Sequence, residues 1–282
     1  MGLEAAAVVA GVSVVVSGDF RRVLLSASSR VITDPLFYAA AIPAVTLLGL
    51  AKGGFSGLGM LSLPLMALVV SPVQAAAITL PILIVQDVVS VWAYRYTWDR
   101  RNVVILIVGA TSGILTGYLL AAQVSDAAIK LAVGLISIAF AVRRLVLERG
   151  GREPKATPAD VPRGIFWGWV TGFTSMIAHA GGPPFQIYVM PQRLPRDVFV
   201  GTGAVVFALI NWIKVPPYLA LGQMTVENMA TAGALFPVAI ASTWAGVLLV
   251  RRFSGQLFYT AVYVLLVFVG AKLVYDGAQA LL

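Results

Sequence analysis

The chain has 282 residues, is 59% hydrophobic and only 11% charged, and carries a formal net charge of +8; its mean hydropathy is +0.90. A soluble domain is nearer a quarter charged, so the composition excludes an ordinary soluble enzyme and turns the basic surplus away from nucleic acid, towards lysine and arginine held on the cytoplasmic side of a bilayer. The chain contains no cysteine, which rules out disulfides, thiolate metal sites and cysteine chemistry.

In chain order, residues 1–34 form an N-terminal segment. Its run "LEAAAVVAGVSVVVSG" lacks the basic start of a signal peptide and is short for a span, so it reads as an interfacial or half-inserted helix. Apolar runs follow at 36–51, 73–94, 103–122 and 127–142, then at 198–213, 229–250 and 256–275. Several suit a hydrocarbon core about 30 Å thick, and the alternation of an outer-membrane barrel is absent. The fold class is an all-α polytopic membrane protein, with a first repeat at 35–149, a linker at 150–163 and a second repeat at 164–282.

"LLGLAKGGFSGLG", Leu47 to Gly59, places a lysine, five glycines and a serine inside apolar sequence. "GGFSGLGMLSLPL" (53–65) resembles "TGFTSMIAHAGGPPF" (171–185), "AAITLPIL" (76–83) parallels "FVGTGAVV" (199–206), and "TGYLLAAQVS" (116–125) parallels "AGVLLVRRFS" (245–254). Three matches in one order argue for an internal repeat. Between the halves, 143–164 holds six Lys/Arg against three Asp/Glu, with three prolines, and reads as cytoplasmic. Counting spans outward from it puts Arg95, Arg100 and Arg101 inside, Arg193, Arg196, Arg251 and Arg252 inside, and the charge-poor "LGQMTVEN" outside. The halves are then inverted, each a Gly/Pro-broken hairpin followed by three spans. Arg21, Arg22 and Arg30 sit awkwardly with this count.

Inverted repeats with interrupted segments at matching positions are the pattern of secondary transporters. Non-helical backbone at membrane depth survives only where protein or water covers it, and the N–H groups at a new helix start favour an anion. The bland alternative is that the glycines serve close helix packing, which does not account for "GGPP" at 181–184.

Ionisable residues within apolar sequence are Lys52, Asp87, His179 and Lys214; such residues usually mark a pathway. Lys214, before Pro216 and Pro217, reads first as a side chain snorkelling to the interface. Asp87 is a proton carrier if unpaired; if Lys52 pairs with it, both are structural. Coupling is the favoured reading, because no partner is fixed by sequence spacing, with His179 as the second carrier to test. The expected ligand is a small anion held by backbone N–H groups near Gly57, Gly59, Gly181 and Gly182, with Thr79, Thr202, Asn211 and Gln186 as neutral donors. Trp92, Tyr94, Tyr96 and Trp98 read as an interface belt.

At these residues the chain resembles the sulfite exporter TauE/SafE family, also called the toluene sulfonate uptake permease family, over roughly 36–276. The resemblance rests on "GFSGLG" with Pro72, Ala76 and Thr79, repeated in "GFTSMIAHAGGPP…VGT…N". It implies a non-enzymatic transporter of sulfite or organosulfonates in the cytoplasmic (inner) membrane, without cofactor or metal, export being the favoured direction and a homodimer left open. Two alternatives stand beside it. One is a passive anion channel; the other is a rhomboid-like protease, since "GFSG" reads G-x-S-G and Ser56 with His179 would form a nucleophile–base dyad.

Overall fold

The computed structural model describes residues 31–55, 57–121, 123–149, 157–249 and 256–281. The expected N-terminal interfacial helix, Ser56 of the protease alternative, the middle of the linker, and Arg251 and Arg252 lie outside the described residues.

Among the described residues the regular elements are all helical: α1 (Pro35–Gly53), a 3-10 turn (Leu58–Leu61), α2 (Ser62–Met66), α3 (Pro72–Ala93), α4 (Arg100–Ala121), α5 (Asp126–Arg149), α6 (Val161–Ala178), α7 (Gly182–Val189), a second 3-10 turn (Met190–Gln192), α8 (Arg196–Ala220), α9 (Val226–Leu249) and α10 (Gln256–Gln279). Six are long and apolar enough to cross a membrane: α1, α3, α4, α8, α9 and the Val262–Gln279 part of α10. The 127–142 run, expected as a span, lies in α5, which falls outside that set; Lys130, Arg143 and Arg144 dilute it. Large apolar side chains such as Val88, Val108, Leu119, Trp212, Leu248 and Phe268 face outward, the arrangement a lipid solvent stabilises.

Helix starts carry legible caps. Asp34, Ser71 and Asp160 each accept a backbone N–H of the first turn, and proline occupies the opening positions of α1, α3 and α6, where a missing N–H costs nothing. α3 and α8 pack against each other at the centre; α4 lies on α6 and α8, α9 lies on α1 and α3, and α5 lies on α10. Glycines set the closest crossings. A Cβ on Gly113 would lie 2.0 Å from the Trp169 carbonyl, one on Gly172 2.1 Å from that of Ala110, and one on Gly53 2.5 Å from Gly246 Cα. Backbone-to-backbone contact of this kind is how small residues hold helices together in lipid. Close packing therefore does account for Gly53, as the bland alternative had it, but not for the residues that follow it.

The two ends of the bundle differ in charge. Asn102 and Gln192 exchange hydrogen bonds of 2.8 and 3.0 Å, Tyr188 Oη donates to Asp160 O, and Asp99 N donates to Thr202 Oγ1. These contacts gather the starts of α4, α6 and α8 at one end, with Arg100, Arg101, Arg163, Arg193 and Arg196. At the other end Ile32 N donates to Thr231 Oγ1 and Gln74 Nε2 lies 3.5 Å from Asn228 Oδ1, which brings together the starts of α1, α3 and α9 with Asp34 and Glu227. Of the expected aromatic belt, Trp92 and Tyr96 are exposed and flank Arg95. Tyr94 is buried instead, its hydroxyl donating to Gly53 O at 2.8 Å: it closes the last turn of α1 rather than facing lipid headgroups.

Candidate functional site

Two chain breaks converge in the interior. α1 stops at Gly53; Gly54 (φ 127°) and Gly57 (φ 95°) then turn the chain, and Phe55 N reaches back to Leu50 O at 3.1 Å. L side chains rarely take those dihedrals, and a Cβ on Gly57 would also lie 2.8 Å from Tyr263 Oη. In the second break α6 ends at His179 in the left-handed conformation (φ 49°), with Ala180 N closing on Thr174 O, a 6→1 bond of the Schellman type. Pro183 and Pro184 then sit in the first turn of α7, so "GGPP" ends one helix and opens the next. Proline has no N–H and Phe185 N is taken by Gly181 O, which leaves Gly181 and Gly182 to present their N–H groups at that helix start.

Four ionisable groups and an amide knit the breaks to α3 and α8. Lys52, one residue before the first break, pairs with Asp87 Oδ1 of α3. Asn211 of α8 donates Nδ2 to Asp87 Oδ2 at 2.7 Å; facing a carboxylate, this must be the amide nitrogen. Lys214, three residues on, has 0% exposure. Its Nζ lies 3.2 Å from both Ser175 O and Ser175 Oγ and 2.7 Å from His179 Nδ1. His179 Nε2 is 2.9 Å from Ala76 O of α3. A carbonyl only accepts, so the ring carries its proton on Nε2, and Nδ1 accepts from Lys214 Nζ. Lys52, Lys214 and Asp87 thus meet at the join of the breaks, with Lys52 the lysine that holds the carboxylate.

Beside this network lies a cavity of about 130 Å³, room for about four waters at ~30 Å³ each and far below the 300–1,000 Å³ of a drug-sized site. Lys52, Ser175, His179, Gln186 and Asn211 supply its polar side chains, Gly57, Gly59 and Gly182 bring backbone to it, and Phe185 and Phe207 wall it. Lys52 gives one N–H to Asp87 and stands 5.3 Å over the Phe207 ring, leaving N–H groups for a ligand. Gln186 Oε1 accepts from Arg144 Nη2 at 2.6 Å, which turns its NH₂ towards Gly182, where a Cβ would meet Gln186 Nε2 at 3.9 Å.

The structure gathers Lys52, Gly57, Gly59, His179, Gly182, Gln186 and Asn211 at the cavity, with Asp87 directly behind and Gly181 capping α7. Thr79 and Thr202 do not line it. Thr79 Oγ1 donates to Ala75 O at 2.7 Å and Thr202 Oγ1 to Val198 O at 2.6 Å, the local back-bonding open to any helical threonine. Asp87 is 2% exposed and has two partners, whereas the favoured sequence reading needed it unpaired. Lys214 does not snorkel: α8 runs on through Pro216 and Pro217 to Ala220, so the lysine is well inside the helix and on its buried face. The sequence reading also passed over Ser175 and Arg144. Val200, Gly203, Phe207, Asn211 and Lys214 follow one another every three or four residues, a single helix face that would have put Lys214 with Asn211.

Residues 41–273 match the model of the family described as Sulfite exporter TauE/SafE. Comparison with curated proteins and with solved structures gave no match.

Proposed function

We propose that this chain, which belongs to the sulfite exporter TauE/SafE family of membrane transporters, moves sulfite or an organosulfonate of similar headgroup through the cavity between its two chain breaks. The observation that carries the reading is the donor set there: the spare N–H groups of Lys52, the Gln186 amide and the Gly182 N–H face one small cavity. Three kinds of donor converging on so small a space, one of them an ammonium that forms charge-assisted hydrogen bonds, match the oxygens of a small oxyanion. Holding most of the contacts with neutral donors leaves the anion able to depart.

The pairing of helices supports an inverted repeat. Exchanging α1–α5 for α6–α10 in order turns α1·α9 into α6·α4 and α3·α9 into α8·α4, and returns α3·α8 and α5·α10 to themselves; all of these pairs are in contact. α1 starts at the acidic end and α6 at the arginine-rich end, as a two-fold axis in the membrane plane requires. With arginine held inside, the linker 143–164 is cytoplasmic and the membrane is the inner one; the family's description as a sulfite exporter makes export the favoured direction. Both oxygens of Asp87 and both ring nitrogens of His179 are engaged, so we take the anion's own gradient, rather than a proton through Asp87, to drive the movement.

Counterflow in liposomes tests this. Vesicles carrying the purified protein and loaded with sulfite should accumulate external labelled sulfite with no pH gradient imposed. Accumulation only under a pH gradient would restore proton coupling. Accumulation of no anion, or dissipation without counterflow, would replace the carrier by another function or by a channel.

A further inference from the structure

α8 passes a second cavity. Beyond the first, which it lines from Phe199 to Asn211, comes Lys214, then Tyr218, which with Val73, Ala76, Ala132 and Met176 lines a separate space of about 80 Å³. At about 1.5 Å per residue, Lys214 stands about 4.5 Å past Asn211 and Tyr218 about 6 Å farther. Val124 and Gln223, at the loops opposite the arginine-rich end, also border the second space. The last turn of α6 forms the partition between the two. His179 lines the first cavity and its Nε2 bonds to the carbonyl of Ala76, which lines the second; Ser175 lines the first and its neighbour Met176 the second. Lys214 sits against that partition with 0% exposure and no carboxylate among its bonded partners, which are Ser175 O, Ser175 Oγ and His179 Nδ1. All three belong to the end of α6, whose capping residue, His179, holds a left-handed backbone.

We propose that Lys214 is the transfer position between two vestibules of one anion route. The two spaces are opposite vestibules, and the His179–Ala76 contact is the closed gate between them. When the imidazole leaves Ala76 O, Lys214 exchanges neutral partners, His179 Nδ1 and Ser175 Oγ, for the anion and hands it on to the second space. A buried lysine held only by neutral groups on a helix end is placed to do this; a lysine already paired with a carboxylate, as Lys52 is, is not. The transfer role rests on the anion-transport reading above, whereas the two-vestibule geometry stands without it.

The chain has no cysteine, so single introduced thiols report cleanly. In oriented vesicles, Val200→Cys in the first cavity and Ala132→Cys in the second should react with a membrane-impermeant maleimide from opposite sides. Reaction of both from the same side would overturn the two-vestibule arrangement whether or not sulfite is carried. Lys214→Met should keep sulfite binding within about threefold while losing counterflow by more than about tenfold, and Lys214→Arg should restore most of it. Parallel loss of binding and flux would make Lys214 part of the first site, and no change in either would make it a bystander; both overturn the proposal. If Lys214→Met fails to assemble, an assembled Lys214→Arg that binds sulfite but shows no counterflow also overturns it. A wild-type protein that neither binds nor moves any anion, yet labels from opposite sides, would refute the anion reading and leave the two vestibules standing.

Discussion

Replacing Asp87 by asparagine removes one charge from the centre of the network and changes little else in shape. The amide oxygen can still accept from Asn211 Nδ2, now 2.7 Å from the carboxylate, so the loss falls on Lys52. Breaking a buried pair by removing one partner costs about 3–5 kcal/mol. Lys52 has 11% side-chain exposure and borders the cavity, where water can reach it, so the lower end, about 3 kcal/mol, applies. For a chain of this length that is a fall of about 6 °C in the unfolding midpoint, at about 2 °C per kcal/mol. Scanning fluorimetry of the detergent-purified protein reads it. Removing the orphaned charge as well, in Asp87→Asn/Lys52→Met, should recover part of the loss, a coupling of about 2 kcal/mol. A single variant within about 1 °C of wild type, or a double variant whose losses simply add, would refute the view that this pair fastens α1 to α3.

Tyr94→Phe should cost about 1 kcal/mol, about 2 °C in the same assay, because the Gly53 carbonyl loses a buried partner. Gly113→Val should separate α4 from α6, since its Cβ starts 2.0 Å from the Trp169 carbonyl; a loss of about 3 kcal/mol or more, seen as a low midpoint and aggregated material on size exclusion, is expected. Gly233→Ala meets nothing within 4 Å and should be neutral or stabilising by about 0.5–1 kcal/mol as a mid-helix glycine is removed; destabilisation there would mean that the surface of α9 is covered by something else.

How far the sequence discloses the site depends on the range of the interaction. The breaks were legible because glycine and proline act on their own backbone: Gly54 and Gly57 supply positive φ, and Pro183 and Pro184 allow only a helix start. The pairing of Asp87 was not, because Lys52 and Asn211 lie 35 and 124 residues away on other helices and only tertiary packing brings them in. The threonine match in the two repeats misled for a physical reason: Thr79 and Thr202 share a local back-bond, so their equivalence is one of structure. Lys214 was hidden by the prolines after it, which suggest a helix end that α8 does not have. The span expected at 127–142 was apolar in its middle, yet α5 carries its charges into both flanks.

The central claim is that Lys52, with the Gln186 and Gly182 donors at the join of the two breaks, selects a small anion. Titrating sulfite, a short organosulfonate, chloride and sodium into purified wild-type protein and into Lys52→Met by calorimetry tests it most directly. Wild type should bind the sulfur oxyanions, discriminate against chloride and ignore sodium. Lys52→Met, by loss of one charge-assisted hydrogen bond of about 1.5–3 kcal/mol, should bind them about ten- to a hundredfold more weakly. Equal affinity for every solute, binding of sodium, or undiminished oxyanion affinity in Lys52→Met would contradict the account.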